Sequence, residues 1–223
     1  MDGYIQYNIT DASFEEFVAF LFNHEVIPVP KNGKKEPEPW YWKAEVTFEP
    51  IRVSCDYVRL FTNPEFLLSN FSVEQLDQGF WAIQSSNIEC SVADIIWHRH
   101  VPFVMRANCI RSMFYLFEKL FATTSLGTAP HMWWDSLAYD WCCGNRSRLN
   151  GGEDEQMQDV MFETLEKILA LPSSDCQAAA LHGLGHLHHP ETQQLIDQYI
   201  RLNEIISPEL RDYAHAAARF DVM

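Results

Sequence analysis

The chain has 223 residues, 47% of them apolar and 21% charged, and its 16 Lys and Arg stand against 31 Asp and Glu for a formal net charge of −15. That is ordinary globular composition; it excludes disordered, collagen-like and low-complexity chains, and a chain this long can bury about 70% of its unfolded surface. The surplus of carboxylates repels a nucleic-acid backbone and an anionic membrane, so neither is expected as the main partner.

The opening Met1-Asp2-Gly3-Tyr4 has neither the basic region nor the apolar run of a signal peptide, and no stretch approaches the roughly 18 apolar residues that span a bilayer. A cytoplasmic location is expected. The six cysteines, Cys55, Cys90, Cys109, Cys142, Cys143 and Cys176, make no C-x-x-C pair and fall mostly in apolar helical patterns, so they read as reduced thiols.

Ser13-Phe14-Glu15-Glu16 fits a capping box, with Phe14, Phe17, Val18 and Leu21 following at helical spacing to about Asn23. Residues 28–39 break the pattern with prolines, a glycine and the lysines Lys31, Lys34 and Lys35, which read as a solvated loop. Three lysines are too few for a nucleic-acid site. A short strand pair is expected near residues 40–48, before a helix that opens at Pro50.

Beyond this the sequence is helical almost throughout. Ser72-Val73-Glu74-Gln75 is a second capping box, and Pro102 opens an amphipathic helix through Ile110, Met113, Phe117 and Phe121. Residues 132–143 read as a helix closed by Gly144, and 145–152 as a loop. Residues 153–171 make a strong helix with an acidic first turn, which suits the positive end of its dipole. Its acids, among them Glu153, Glu155, Asp159, Glu163 and Glu166, have no basic residue between them, so this face is a candidate docking surface for a basic partner. Trp133 and Trp134, with Tyr139 and Trp141 nearby, are candidates for an aromatic-lined groove, against the plain alternative that they are core.

Residues 176–200 are the most specific stretch. Small residues Ala178, Ala179, Ala180, Gly183 and Gly185 permit close helix approach, Leu184, Leu187, Leu195, Ile196 and Ile200 supply core, and Pro190 sits at the expected start of a second helix. Leu184-Gly185 and Pro190-Glu191, followed by Pro208-Glu209-Leu210-Arg211 and its alanines, resemble the HEAT-like repeat of the kind found in phycobilisome lyases. The resemblance is clear only over residues 176–220, and His189 stands where that family has a turn-capping Asp. It implies an all-α, HEAT-like solenoid spanning residues 1–223, with 1–150 its divergent half and 151–223 its clearer repeats. It also implies a protein-interaction module and does not imply catalysis; no cofactor is expected, and the negative charge alone suggests one concrete version, an immunity-type or regulatory binder of a basic protein.

The alternative is a metal- or ligand-binding enzyme. His182, His186 and His189 fall at i, i+4 and i+7, one face of a helix, and two His at i and i+4 can grip one divalent metal ion. The metalloprotease form needs Glu directly after the first His, and Gly183 occupies that place. His98, His100 and His131 read as structural, and no nucleophile-elbow, P-loop or dinucleotide motif is present.

Overall fold

The computed structural model describes residues 4–27, 38–203 and 205–222; the lysine loop around Lys31, Lys34 and Lys35 lies outside them. Helices dominate. In chain order they are α1 (Phe14–Phe22), α2 (Pro50–Thr62), α3 (Leu67–Asn70), α4 (Val73–Gln84), α5 (Val92–Trp97), α6 (Phe103–Leu116), α7 (Asp135–Cys142), α8 (Gly152–Leu169), α9 (Ser174–Leu187), α10 (Thr192–Leu202) and α11 (Pro208–Ala218). Among the described residues, no helix is long and apolar enough to cross a membrane.

Local chemistry starts these helices. Both expected capping boxes form: Ser13 accepts from the Glu16 N–H while Glu16 accepts from the Ser13 N–H, and Ser72 and Gln75 repeat the exchange. Each satisfies two backbone donors that a helix start leaves open. Glu49 accepts from the N–H groups of Ile51 and Arg52 ahead of Pro50. Ser173 and Ser207 cap α9 and α11 in the same way. Gly144 takes φ 78 just past α7, a conformation that a side chain disfavours.

The strand pair differs from expectation. Residues Trp40–Trp42 form a 3-10 turn, and only β2 (Ala44–Thr47) is extended. Its partner is β1 (Ile5–Asn8), which pairs with it in parallel from Ile5 opposite Ala44 to Asn8 opposite Thr47. Parallel strands need a long crossover, and α1 lies in it. Four residues are too few to show a period of two, so the partner was invisible in sequence.

The buried side chains form one continuous cluster from Ile9 to Ala217. At its centre Trp133 meets Phe61, Phe80 and Phe121 edge-on, with ring centroids 5.6, 6.0 and 5.7 Å away, and its indole N–H points at Met113 Sδ at 3.3 Å. Edge-to-face contacts of this kind add to the burial itself. α2 packs on α6 and α6 on α8. From there α7 and α8 both pack on α9, and α9 and α10 both pack on α11.

Arg106 is the one buried arginine among the described residues, and it ties α5 to α6. Its guanidinium donates to the carbonyls of Val101 at 2.8 Å and Ile96 at 3.2 Å, and to Glu153 Oε2 at 2.7 Å. Arg106→Met strands two buried carbonyls and should cost about 2–4 kcal/mol by urea unfolding. Glu153 is half in solvent, so Glu153→Gln should cost under about 1 kcal/mol. Equal losses would show that the ion pair, not the carbonyl bonds, matters here.

Candidate functional site

The site starts from a close helix approach. A Cβ on Gly183 of α9 would lie 2.8 Å from Trp134 Cβ, 2.7 Å from Trp134 Cγ and 2.8 Å from Leu165 Cδ2. Without one, α9 seats against the junction where Trp134 gives way to Asp135, the first residue of α7. His182 therefore reaches Asp135. The imidazole is fully buried, with Nε2 2.6 Å from Asp135 Oδ1 and Nδ1 2.5 Å from Tyr213 Oη on α11. One turn on, His186 Nε2 lies 3.6 Å from the same carboxylate oxygen. One donor atom from each of Asp135, His182 and His186 lies within 4.8 Å of the others. The His131 ring packs beside His182, centroids 4.7 Å apart.

Burial pushes His131 and His186 below the ordinary imidazole range, and the neighbouring His182 adds to it. Burial, helped by Asp135, pushes the Tyr213 hydroxyl up to about 12. Tyr213 therefore keeps its proton and can donate it to His182 Nδ1, while His182 Nε2–H donates to Asp135. Two imidazoles and a carboxylate converging from two helices suit a divalent cation; the same set also works as a hydrogen-bonded clasp between helices.

His189 is not part of this cluster. α9 ends at Leu187, and His188 turns left-handed at φ 53, so the helical face shared by His182 and His186 does not extend to it. His189 Nδ1 accepts the Glu191 N–H at 3.2 Å, and Nε2–H donates to Asp159 at 3.0 Å while the ring stacks on Phe162 at 4.0 Å. An imidazole thus caps the turn in place of the missing carboxylate. The turn also delays α10 to Thr192, two residues past Pro190.

The acidic face of α8 is met from within the chain. Glu153 pairs with Arg106, Glu155 with Arg148 at 3.2 Å, Asp159 with Arg148 at 2.5 Å and Glu163 with Arg111 at 4.0 Å, while Asp154 pairs with Arg146 at 3.0 Å. Glu166 is exposed on the same helix. Arg146 and Arg148 come from the loop before α8, so a count of basic residues within the helix misses them. Trp133 and Trp134 are fully buried and present no surface to a partner, which corrects their reading as groove residues. Tyr139, at 55% exposure, is the aromatic of that stretch that faces out.

Beside His131 and Tyr213 opens a cleft of about 620 Å3, formed by the start of α9, the segment 205–207 and the start of α11. Ile205, Ile206 and Leu210 give it an apolar side, and the carboxylates of Asp175 and Glu209 flank it. Ile205 is 99% exposed.

Asp135 and Tyr213 were not foreseen as site residues. They lie 47 and 31 residues from His182, and local spacing carries no trace of them. No protein-family model matches the chain, and neither the curated proteins nor the solved structures yield a match.

Gly183→Ala gains about 1 kcal/mol of helix propensity but forces a methyl against the rigid Cβ of Trp134, at about 1–3 kcal/mol. Urea unfolding should show a net loss of stability; a gain would mean that the close approach is slack. A pH effect follows from His24 and His189. Burial lowers both, against the opposing hydrogen bonds to Phe20 and Asp159. The folded state then binds fewer protons than the unfolded one below about 6.5. Their contribution is complete above that pH and is lost as pH falls through it. Burial alone would raise Asp159, but hydrogen bonds from Arg148 and His189 and the Arg148 charge hold it down, so its contribution persists to lower pH. The urea midpoint should fall between about pH 7 and pH 5. A flat profile over that range would refute the assignment.

Proposed function

We propose that the chain is a helical-repeat binding module that takes up a basic, partly apolar segment of another protein. The observation that carries this reading is the cleft between α9 and α11. It leaves Ile205 fully in solvent beside Ile206 and Leu210, and sets Asp175 and Glu209 at its edges. Exposed apolar side chains rimmed by charge mark interaction sites, and two carboxylates favour a Lys- or Arg-bearing occupant. The net charge of −15 draws such a partner in at a distance.

The helix order supports the repeat character. α7 and α8 lie against α9 as α9 and α10 lie against α11, so each pair meets the first helix of the next. In this proposal the order corresponds to α-solenoid stacking, with α11 taken as the first helix of a following unit. On this reading the row α7, α9, α11 is the working face. A regulatory or immunity-type binder is its concrete form.

Selection of random phage-displayed peptides on the purified chain at low salt tests the reading. Sequences that combine an apolar residue with Lys or Arg should be enriched. Ile205→Ser and Glu209→Lys should each weaken the selected peptides about tenfold, and added salt should weaken them further. No consensus, or binding indifferent to both substitutions, would sink it.

A further inference from the structure

We propose that Asp135, His182 and His186 form a binding site for one divalent transition-metal ion of the zinc class, with Tyr213 fixing the ring of His182. The ligand set is two imidazoles and a carboxylate, the combination that holds zinc with one position left open. All three ligand atoms lie within 4.8 Å of one another, and one separation stands near the distance that a metal imposes. Tetrahedral ligands at about 2.1 Å from an ion lie about 3.4 Å from one another. His186 Nε2 and Asp135 Oδ1 are 3.6 Å apart, and His182 Nε2 and the same oxygen are 2.6 Å apart. The second pair needs to open by about 0.8 Å, the change from a hydrogen bond to a shared ion.

Burial fits a ligand role. The His182 side chain has no exposure, that of His186 12% and that of Asp135 32%, so the set is anchored inside and open at the carboxylate end. An ion can enter from there. With His182 in its neutral form, coordination needs only a proton shift within the ring. In the metal-free chain His182 Nε2–H donates to Asp135 and Nδ1 accepts from Tyr213. With an ion on Nε2, the imidazole proton moves to Nδ1 and is donated to Tyr213 Oη, whose own hydroxyl turns away. A hydrogen-bond partner on the far nitrogen is what orients metal-ligating histidines elsewhere. Tyr213 meets that requirement from a third helix.

His189 is outside the set, and the His-x-x-x-His pair carries no Glu between its members. The arrangement thus supplies a metal position but no general base of the metalloprotease type. Gly183 fills the place of that Glu because a side chain there would strike Trp134 and Leu165.

The test is titration of the untagged, chelator-stripped chain with Zn2+ and with Co2+, read by calorimetry and, for Co2+, by visible absorption. One equivalent should bind. His186→Ala and Asp135→Asn should each weaken binding at least about tenfold, and Tyr213→Phe should weaken it about tenfold with the ligands intact. His186 and Asp135 are partly exposed, so these variants should keep the helical circular dichroism of the parent, which is checked first. No binding at micromolar metal by the folded parent would overturn the proposal. Binding that all three variants leave unchanged would also overturn it and would direct attention to the thiols of Cys142 and Cys143.

Discussion

The C-terminal half depends on one buried imidazole. His182 has no contact with solvent, and a ring in that position must satisfy both nitrogens inside the protein or cost several kcal/mol. Asp135 and Tyr213 meet the two demands from α7 and α11. The three helices are therefore held at one spacing by one side chain. Gly183 sets that spacing from the other direction, because any Cβ there would push α9 off Trp134. Packing and hydrogen bonding fix the same geometry, so neither can relax alone.

Charge is handled differently at the other edge of α8. The chain is strongly acidic, yet most of the acids gathered on α8 are answered in space by arginines. Arg146 and Arg148 fold back from the preceding loop onto Asp154, Glu155 and Asp159, and the Arg146 guanidinium also lies 3.2 Å over the Trp97 ring. Much of what reads as a docking strip is an internal seam between loop and helix. Pairs this exposed each contribute little, but as a set they orient the loop. On the proposed reading the acids that would steer a partner include Asp175 and Glu209, which lie beside apolar surface.

What was legible in the sequence follows the range of the interactions. Ser13, Ser72 and Gly144 act within four residues, and each does in space what its local pattern implies. The amphipathic stripes likewise place most helices within a residue or two. Pairing across distance was hidden: β2 takes β1 as its partner from across α1, and His182 takes Asp135 from another helix. The extension of the histidine face to His189 assumed that α9 continues. It stops because His188 turns left-handed, and Pro190 two residues on denies the helix a backbone donor. Trp133 and Trp134 illustrate another limit. Aromatic clustering in sequence is the same for a groove and for a core, and only the packing of Phe61, Phe80 and Phe121 around Trp133 decides it.

The double role of His182 has a thermodynamic consequence for the proposed ion. Structural zinc sites hold domains that unfold without metal, because their ligands have no other partners. Here every nitrogen of His182 is already bonded, so the helices stay joined whether or not an ion is present. Binding would exchange a hydrogen bond to Asp135 for coordination, and only the difference between the two would appear as affinity. A site built this way favours moderate affinity and reversible occupancy. His131 and Tyr213 touch His182 and also line the cleft between α9 and α11, so the ring that would hold the ion sits one contact away from the apolar surface offered to a partner.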